Sequence, residues 1–311
     1  MASPVVWLSG IRKPTKLAHF DTQLSSSSTL RAALIGRGIS LSKTPGMHEA
    51  EGRTLGLDYS YELIDLDTDL YRDHSLGDII DRIEGEGFAG FNITFPFKSQ
   101  ISDKLSDLSQ IAEVLGAVNT VVFEDGKRFG HNTDMSGFAT AFQVNMTNAP
   151  LDKVLLLGIG GAGSAVAFAL AECGVGTLHL FDLNPERMFD LAKKIKRNYP
   201  KIDVRCFENL DLAITSDLNG VVNATPMGMS NYPGSAFPKD AWKADMWAAD
   251  IVYFPLKTAF LSDAEQAGCR VMPGSGMAIY QAVHAFELIT GHKADPKRFT
   301  KAFEQSTAVD N

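Results

Sequence analysis

Lys153 to Leu170 reads KVLLLGIGGAGSAVAFAL, and this stretch decides the fold. A short apolar run stops at a cluster of glycines, and an Ala-rich segment of helical composition follows at once. Gly158, Gly160, Gly161 and Gly163, with Ala162 between them, let the backbone turn sharply and approach a ligand closely. The helix start beyond them offers unpaired N–H groups and a positive dipole end. In the order strand, turn, helix, this cluster reads as a cradle for the pyrophosphate of a dinucleotide, the alternative being a purely structural turn. Asp182 closes the next apolar run, TLHLFD, about 20 residues further on. A carboxylate there can accept hydrogen bonds from ribose hydroxyls, or it can cap the helix that Pro185 opens. The ribose reading favours NAD, with NADP the alternative, because a 2′-phosphate would meet like charge and Leu183 supplies no cation. Arg187, in NPERM, either reaches round to the cofactor or pairs with a neighbouring acid.

Outward from this motif, IDVRC, GVVNAT, AADIVY and CRVMP continue the alternation of strand and helix. Six such strands predict a doubly wound Rossmann domain. Upstream, AALIG, a helix from Pro45, YSYELIDL, a helix to about Ile83, and GFNIT predict a second α/β unit with a parallel sheet. A helix is expected from about Asp107 to Leu115, then a hairpin turning at Asp125-Gly126, then a helix just after Asp134. The last helix, MAIYQAVHAFELITG, is apolar on nearly every face and is expected to be buried against the first domain.

The chain of 311 residues is 45% hydrophobic, with a formal charge of -8. It is long enough for two ordinary domains and has no basic footprint for nucleic acid or an anionic membrane. No apolar run approaches the roughly 20 residues that span a bilayer. The three cysteines, Cys173, Cys206 and Cys269, lack the paired spacing of a zinc site or a disulfide framework, so no metal is expected and the compartment reads as cytoplasmic. Residues 1–31 are irregular and Ser-rich, without the pattern of a secretory signal, and read as a mobile extension. The partner is a small molecule; monomer and homodimer both stay open.

Polar residues gather in four short segments beside apolar ones: SKTPGMH, NITFPFK, GAVNT and HNTD. Thr44 before Pro45 serves equally as a helix N-cap or a ligand contact. Pro96 looks like a helix start, which puts Lys98 in a first turn, where a cation is mildly unfavourable. Asp134 can cap the helix MSGFATAF. Asn92, Thr94 and Asn119 can satisfy nearby backbone. Gln281 stands among apolar neighbours, where an unpartnered amide costs about 1–3 kcal/mol.

Together these segments resemble the shikimate dehydrogenase family from about Ala32 to the carboxyl end. The resemblance rests on Ser42 to His48, Asn92 to Lys98, Gly116 to Thr120, Asn132 to Asp134, the glycine loop, Asn223 to Met229, Asp250 to Pro255 and Gly276 to Gln281. It implies a substrate domain over 32–134 plus 277–311 and a dinucleotide domain over 135–276, facing each other across a groove. It carries substrate contacts to Ser42, Thr44, Asn92, Thr94, Lys98, Asn119, Asp134, Tyr253 and Gln281, and the catalytic pair to Lys98 and Asp134. On the cofactor side it places Asn223, Ala224, Thr225, Tyr253 and Gly276, with Tyr253 and Gly276 bordering the nicotinamide. Two departures from the NADP-using members, Asp182-Leu183-Asn184 after the second nucleotide strand and Thr44 in the first block, bring the chain nearer the NAD-dependent quinate/shikimate dehydrogenases.

The implied chemistry is reversible hydride transfer between nicotinamide and a ring carbon of shikimate or quinate, with their 3-dehydro forms as the partners. Lys98 would act as acid or base and Asp134 as its positioning partner. A non-catalytic NAD- or metabolite-sensing homologue and a dehydrogenase of another cyclic polyol acid are the rivals.

Overall fold

The computed structural model describes residues 29–307. β1 (Leu30–Gly36) lies between β2 (Tyr59–Asp65) and β3 (Gly90–Ile93), parallel to both. Strand periodicity sends its side chains alternately to two covered faces. Ala33 and Ile35 meet α2 (Leu76–Gly85) through Ile79, Ile80 and Ile83. Ala32 and Leu34 face the other way, with Tyr61 and Ile289. α2 begins at a capping box in which Ser75 and Asp78 satisfy each other's backbone N–H groups.

Beyond β3 the first sheet is mixed where a parallel one was expected. β5 (Thr120–Glu124) runs antiparallel to β3 and to β6 (Lys127–His131). Asp125 and Gly126 both have positive φ, as a two-residue hairpin turn demands. The helix expected from Asp107 starts later: Asp107 and Leu108 form β4, parallel to β6, and Ser109 caps α3 (Gln110–Leu115).

The second sheet has the order β12-β11-β10-β7-β8-β9 and is parallel throughout. Its strands are β7 (Lys153–Leu157), β8 (Thr177–Phe181), β9 (Asp203–Phe207), β10 (Gly220–Asn223), β11 (Trp247–Asp250) and β12 (Arg270–Met272). β7 and β10 are neighbours at the point where the strand order reverses, which is where a doubly wound sheet opens a ligand crevice. The fold is therefore two α/β halves, one of them doubly wound, as the sequence implied.

Helix boundaries correct three expectations. Thr44 is the first residue of α1 (Thr44–Thr54), with Lys43 in the cap position. Asn132, not Asp134, caps α4 (Thr133–Asn145). The segment after Pro96 is a single 3-10 turn, Phe97–Ser99, too short to carry a helix dipole of any size. Of the N-terminal extension, residues 1–28 lie outside the described residues, while Leu30 and Arg31 belong to β1. No helix among the described residues is long and apolar enough to cross a membrane.

α9 (Ser275–Thr290) buries Met277, Ile279, Ala282, Val283, Ala285, Phe286 and Ile289. It is followed by α10 (Pro296–Thr307), tied to α1 by two hydrogen bonds of 2.6 Å from Arg298 to the fully buried Glu51. α4 and α9 meet at Gly137, where a Cβ would stand 2.7 Å from the backbone N of Gln281. Gly137→Ala is therefore expected to force the helices apart and lower stability by about 1–3 kcal/mol, read from urea unfolding. An unchanged midpoint would mean that this contact does not limit the packing.

Candidate active site

The end of β3 and the start of α4 meet at one ion pair. Lys98 Nζ lies 2.6 Å from Asp134 Oδ2, with 25% of the lysine side chain and 8% of the aspartate side chain exposed. Two backbone features fix the lysine. Its 3-10 turn is tied to the end of β3 by the Phe97 N–H, which donates to the Thr94 carbonyl at 2.9 Å, and its own carbonyl oxygen accepts a 2.8 Å hydrogen bond from Val118 N–H. The aspartate is fixed by its place in the first turn of α4 and by Asn119, whose Nδ2 donates to Asp134 Oδ1 at 2.9 Å.

Asn119 links this pair to Thr133, Thr120 and Asn92, while Ser42, Thr44, Thr94 and Gln281 make their own local contacts. Asn92 is buried, donating to the Asn119 carbonyl at 3.1 Å and to Thr120 Oγ1 at 2.9 Å. Ser42 donates to Thr44 Oγ1 at 3.2 Å, at the start of α1. Thr94 presses its methyl group against Gly36, where a Cβ would stand 2.5 Å away. Gln281 bonds its own helix through Nε2 to Ala278 O at 3.0 Å. Its backbone, packed on Gly137, sets its height beside α4.

Sequence reasoning overlooked Tyr61, Thr120 and Thr133 as partners of these groups. Thr120 and Thr133 each follow an asparagine of the quoted motifs, so the repeated Asn-Thr was a signal. Tyr61 gave none, because its link to Asn92, 2.7 Å across β1, is tertiary.

On the nucleotide side the glycines behave as a cradle. Gly158 has φ +88, and a Cβ there would meet Ala224 and Thr225. A Cβ on Gly163 would lie 2.0 Å from Gly158 O, whereas Gly160 and Gly161 face open space. α5 (Gly161–Glu172) starts without a side-chain cap, which leaves N–H groups free to meet a phosphate. A dinucleotide fits this arrangement.

Asp182 does not cap α6 (Pro185–Asn198); Asn184 does. Asp182 instead accepts from Ile159 N–H at 2.5 Å and Asn184 N–H at 2.8 Å, bracing the glycine loop against the end of β8. Leu183 beside it is 95% exposed. Arg187 is exposed and makes no ion pair among the described residues, against the expectation of an acidic neighbour.

Asn223 is committed inward. Nδ2 donates to Asp250 Oδ1 and Met227 O, and Oδ1 accepts from Thr225. Asp250 also accepts from Val252 N–H at 2.9 Å and Thr258 Oγ1 at 2.7 Å, closing the loop that carries Tyr253. Tyr253 sits on that loop with its ring 6.2 Å from Phe303 of α10, and Gly276 packs against Ala141 of α4.

Residues 34–121 match the shikimate dehydrogenase substrate binding domain, and residues 274–302 match the shikimate 5'-dehydrogenase C-terminal domain. The quinate/shikimate dehydrogenase (NAD(+)) of Corynebacterium efficiens is 44% identical over 87% of this chain and 96% of its own length. The shikimate dehydrogenase (NADP(+)) of Streptomyces avermitilis is 42% identical over 85% and 91%. The chain belongs to the shikimate dehydrogenase family. Among solved structures of the family, quinate dehydrogenase from Corynebacterium glutamicum in complex with NAD superposes with a TM-score of 0.85, at 40% identity, over 89% of this chain and 99% of that one. Relatives of both cofactor types thus stand at similar identity.

Burial pushes the Asp250 carboxyl up to about 6, against the opposing hydrogen bonds from Thr258, Val252 N–H and Asn223. In the unfolded chain the same group titrates near 3.9. The folded state therefore binds this proton more tightly, and its contribution to stability is full below about pH 4 and lost as pH rises through about 6. Relative to Asp250→Asn, the native chain should lose about 2–3 kcal/mol between pH 4 and 7 in urea titrations, and parallel pH curves would refute the assignment.

Proposed function

We propose that this chain catalyses reversible NAD-dependent hydride transfer at a secondary CH–OH carbon of shikimate, quinate or both. The carrying observation is the ion pair of Lys98 and Asp134 at the meeting of β3 and α4. An ammonium has three donors, so Lys98 keeps hydrogen-bonding capacity beyond the one bond to Asp134. In the reductive direction negative charge gathers on the carbonyl oxygen, and Lys98 stabilises it and delivers the proton. In the oxidative direction a neutral Lys98 receives the proton from the hydroxyl. Asp134 holds the amine and accepts from a substrate hydroxyl through its remaining lone pairs. Ser42, Thr44, Asn92, Thr94, Asn119, Tyr253 and Gln281 complete the substrate contacts.

A bound dinucleotide supplies or takes up the hydride. The backbone of Gly158, Gly160, Gly161, Ala162 and Gly163 would hold its pyrophosphate, Asp182 its adenosine ribose, and Asn223, Ala224, Thr225, Tyr253 and Gly276 the nicotinamide side. NAD is the preferred partner in this reading. A 2′-phosphate would stand against the Asp182 carboxylate, and Leu183 puts an aliphatic side chain where a cation would be needed. Arg187, without an acidic partner among the described residues, accounts for any residual use of NADP. The domain division follows the same logic, with 32–134 plus 277–311 serving the substrate and 135–276 the cofactor.

Lys98→Ala is expected to lower turnover by roughly a thousandfold or more while NAD still binds, as read by steady-state rates and fluorescence titration. Crossing quinate and shikimate against NAD and NADP tests the whole reading. Turnover with NAD should exceed that with NADP by about tenfold or more in kcat/KM, the effect of one unfavourable charge contact. No reaction with either acid would overturn the function, and preference for NADP would overturn the role of Asp182.

A further inference from the structure

Beneath the ion pair runs a row of buried side chains whose direction is fixed by hydrogen-bond valence. Asn92 lies 3.1 Å from the Asn119 backbone carbonyl, which has no proton, so the amide nitrogen must face it. Its oxygen then faces the Tyr61 hydroxyl at 2.7 Å, and Tyr61 must donate. The second Nδ2 proton of Asn92 goes to Thr120 Oγ1 at 2.9 Å. Thr120 therefore sends its own proton onward, to Asn119 Oδ1 at 3.1 Å, with Thr133 Oγ1 further away at 3.3 Å. Asn119 is oriented independently. The Thr133 N–H at 2.7 Å requires its oxygen, and Asp134 Oδ1 at 2.9 Å requires its nitrogen.

Four bonds in series thus point the same way, and the last ends on the carboxylate that holds Lys98. In such a chain each bond polarises the next, and a carboxylate at the end draws every donor toward it. We propose that Tyr61 is a positioning residue for this reaction, the origin of a donor chain through Asn92, Thr120 and Asn119 that holds Asp134 in place for Lys98. The proposal rests on the catalytic reading above. Tyr61 reaches Asn92 from β2 across β1, since Tyr61 pairs with Ala32 and Asn92 with Leu34. It is 5% exposed, and burial, with Tyr59 adding to it, raises its phenol well above the ordinary range, so it stays a donor.

Tyr61→Phe removes the first donor without changing the ring. It should lower kcat roughly tenfold with KM for the cyclic acid within about threefold, because the chain orients a reacting group more than it binds substrate. Thr120→Val cuts the same chain in the middle and should cost a similar factor, while Thr120→Ser restores most of the rate. The double variant Tyr61→Phe/Thr120→Val should be no worse than the worse single one, since both break one chain. Losses that multiply, a rise in KM with kcat unchanged, or Tyr61→Phe within twofold of native would overturn the proposal. If Tyr61→Phe does not fold, the Thr120 pair decides: equal rates for the Val and Ser variants overturn it. The side-chain amide resonance of Asn119 in selectively labelled protein gives a readout without substrate. It should move in each chain-breaking variant that folds, and a fixed resonance counts against the chain. Should native protein turn over neither acid, the catalytic reading fails while this resonance still tests the chain.

Discussion

The contact between Lys98 and Asp134 joins two segments that share no helix or strand, and the rest of the substrate half is arranged to make it. An exposed ion pair would contribute little and wander among rotamers. Here the aspartate is nearly enclosed, and both its oxygens have partners, Asn119 on one and Lys98 on the other. Removing water strengthens the attraction, and the same removal makes an unpaired carboxylate costly, so geometry and charge hold each other in place.

That enclosure explains the strand that breaks into polar residues. In β3, Phe91 and Ile93 join the core against α2, whereas Asn92 takes the opposite parity and looks toward the side of Tyr61. A single strand thus serves the hydrophobic core with one face and the polar network with the other. α4 has a similar double duty. Its first turn carries Thr133 and Asp134 into that network, while Phe138 and Phe142 pack in the same core as β7 and α5. The helix that bears Asp134 is thereby anchored in the hydrophobic core of the nucleotide half.

The nucleotide half was the more legible in the sequence. Its strands are short apolar runs separated by helices, a pattern set by burial on both faces of a parallel sheet. Its glycines answer to local crowding: Gly163 cannot carry a Cβ beside Gly158 O, and Gly158 has a backbone conformation that side chains rarely adopt. The first half was harder. Asp107 and Leu108 look helical in an apolar window, yet pairing with β6 draws them into the sheet. Asp134 and Asp182 both resemble helix caps, yet the neighbouring Asn132 and Asn184 perform that function and leave the carboxylates for other work.

The sequence by itself determined the doubly wound sheet and the glycine turn after β7, and it singled out Lys98 and Asp134, which the fold joins in an ion pair, because these depend on short-range periodicity, on glycine sterics and on motifs a few residues long. Only the tertiary structure decided which of the polar residues bond one another. Tyr61 lies on β2, Asn92 on β3 and Thr120 on β5 with Asn119 just before it, and which donor meets which acceptor is set by strand register and sheet order. The spacing of Gln281 from Asp134 was likewise beyond the sequence, since it depends on how closely α9 can approach Gly137. Hydrogen bonds are directional and short, so a partner across the sheet stays invisible until the backbone brings it within about 3 Å.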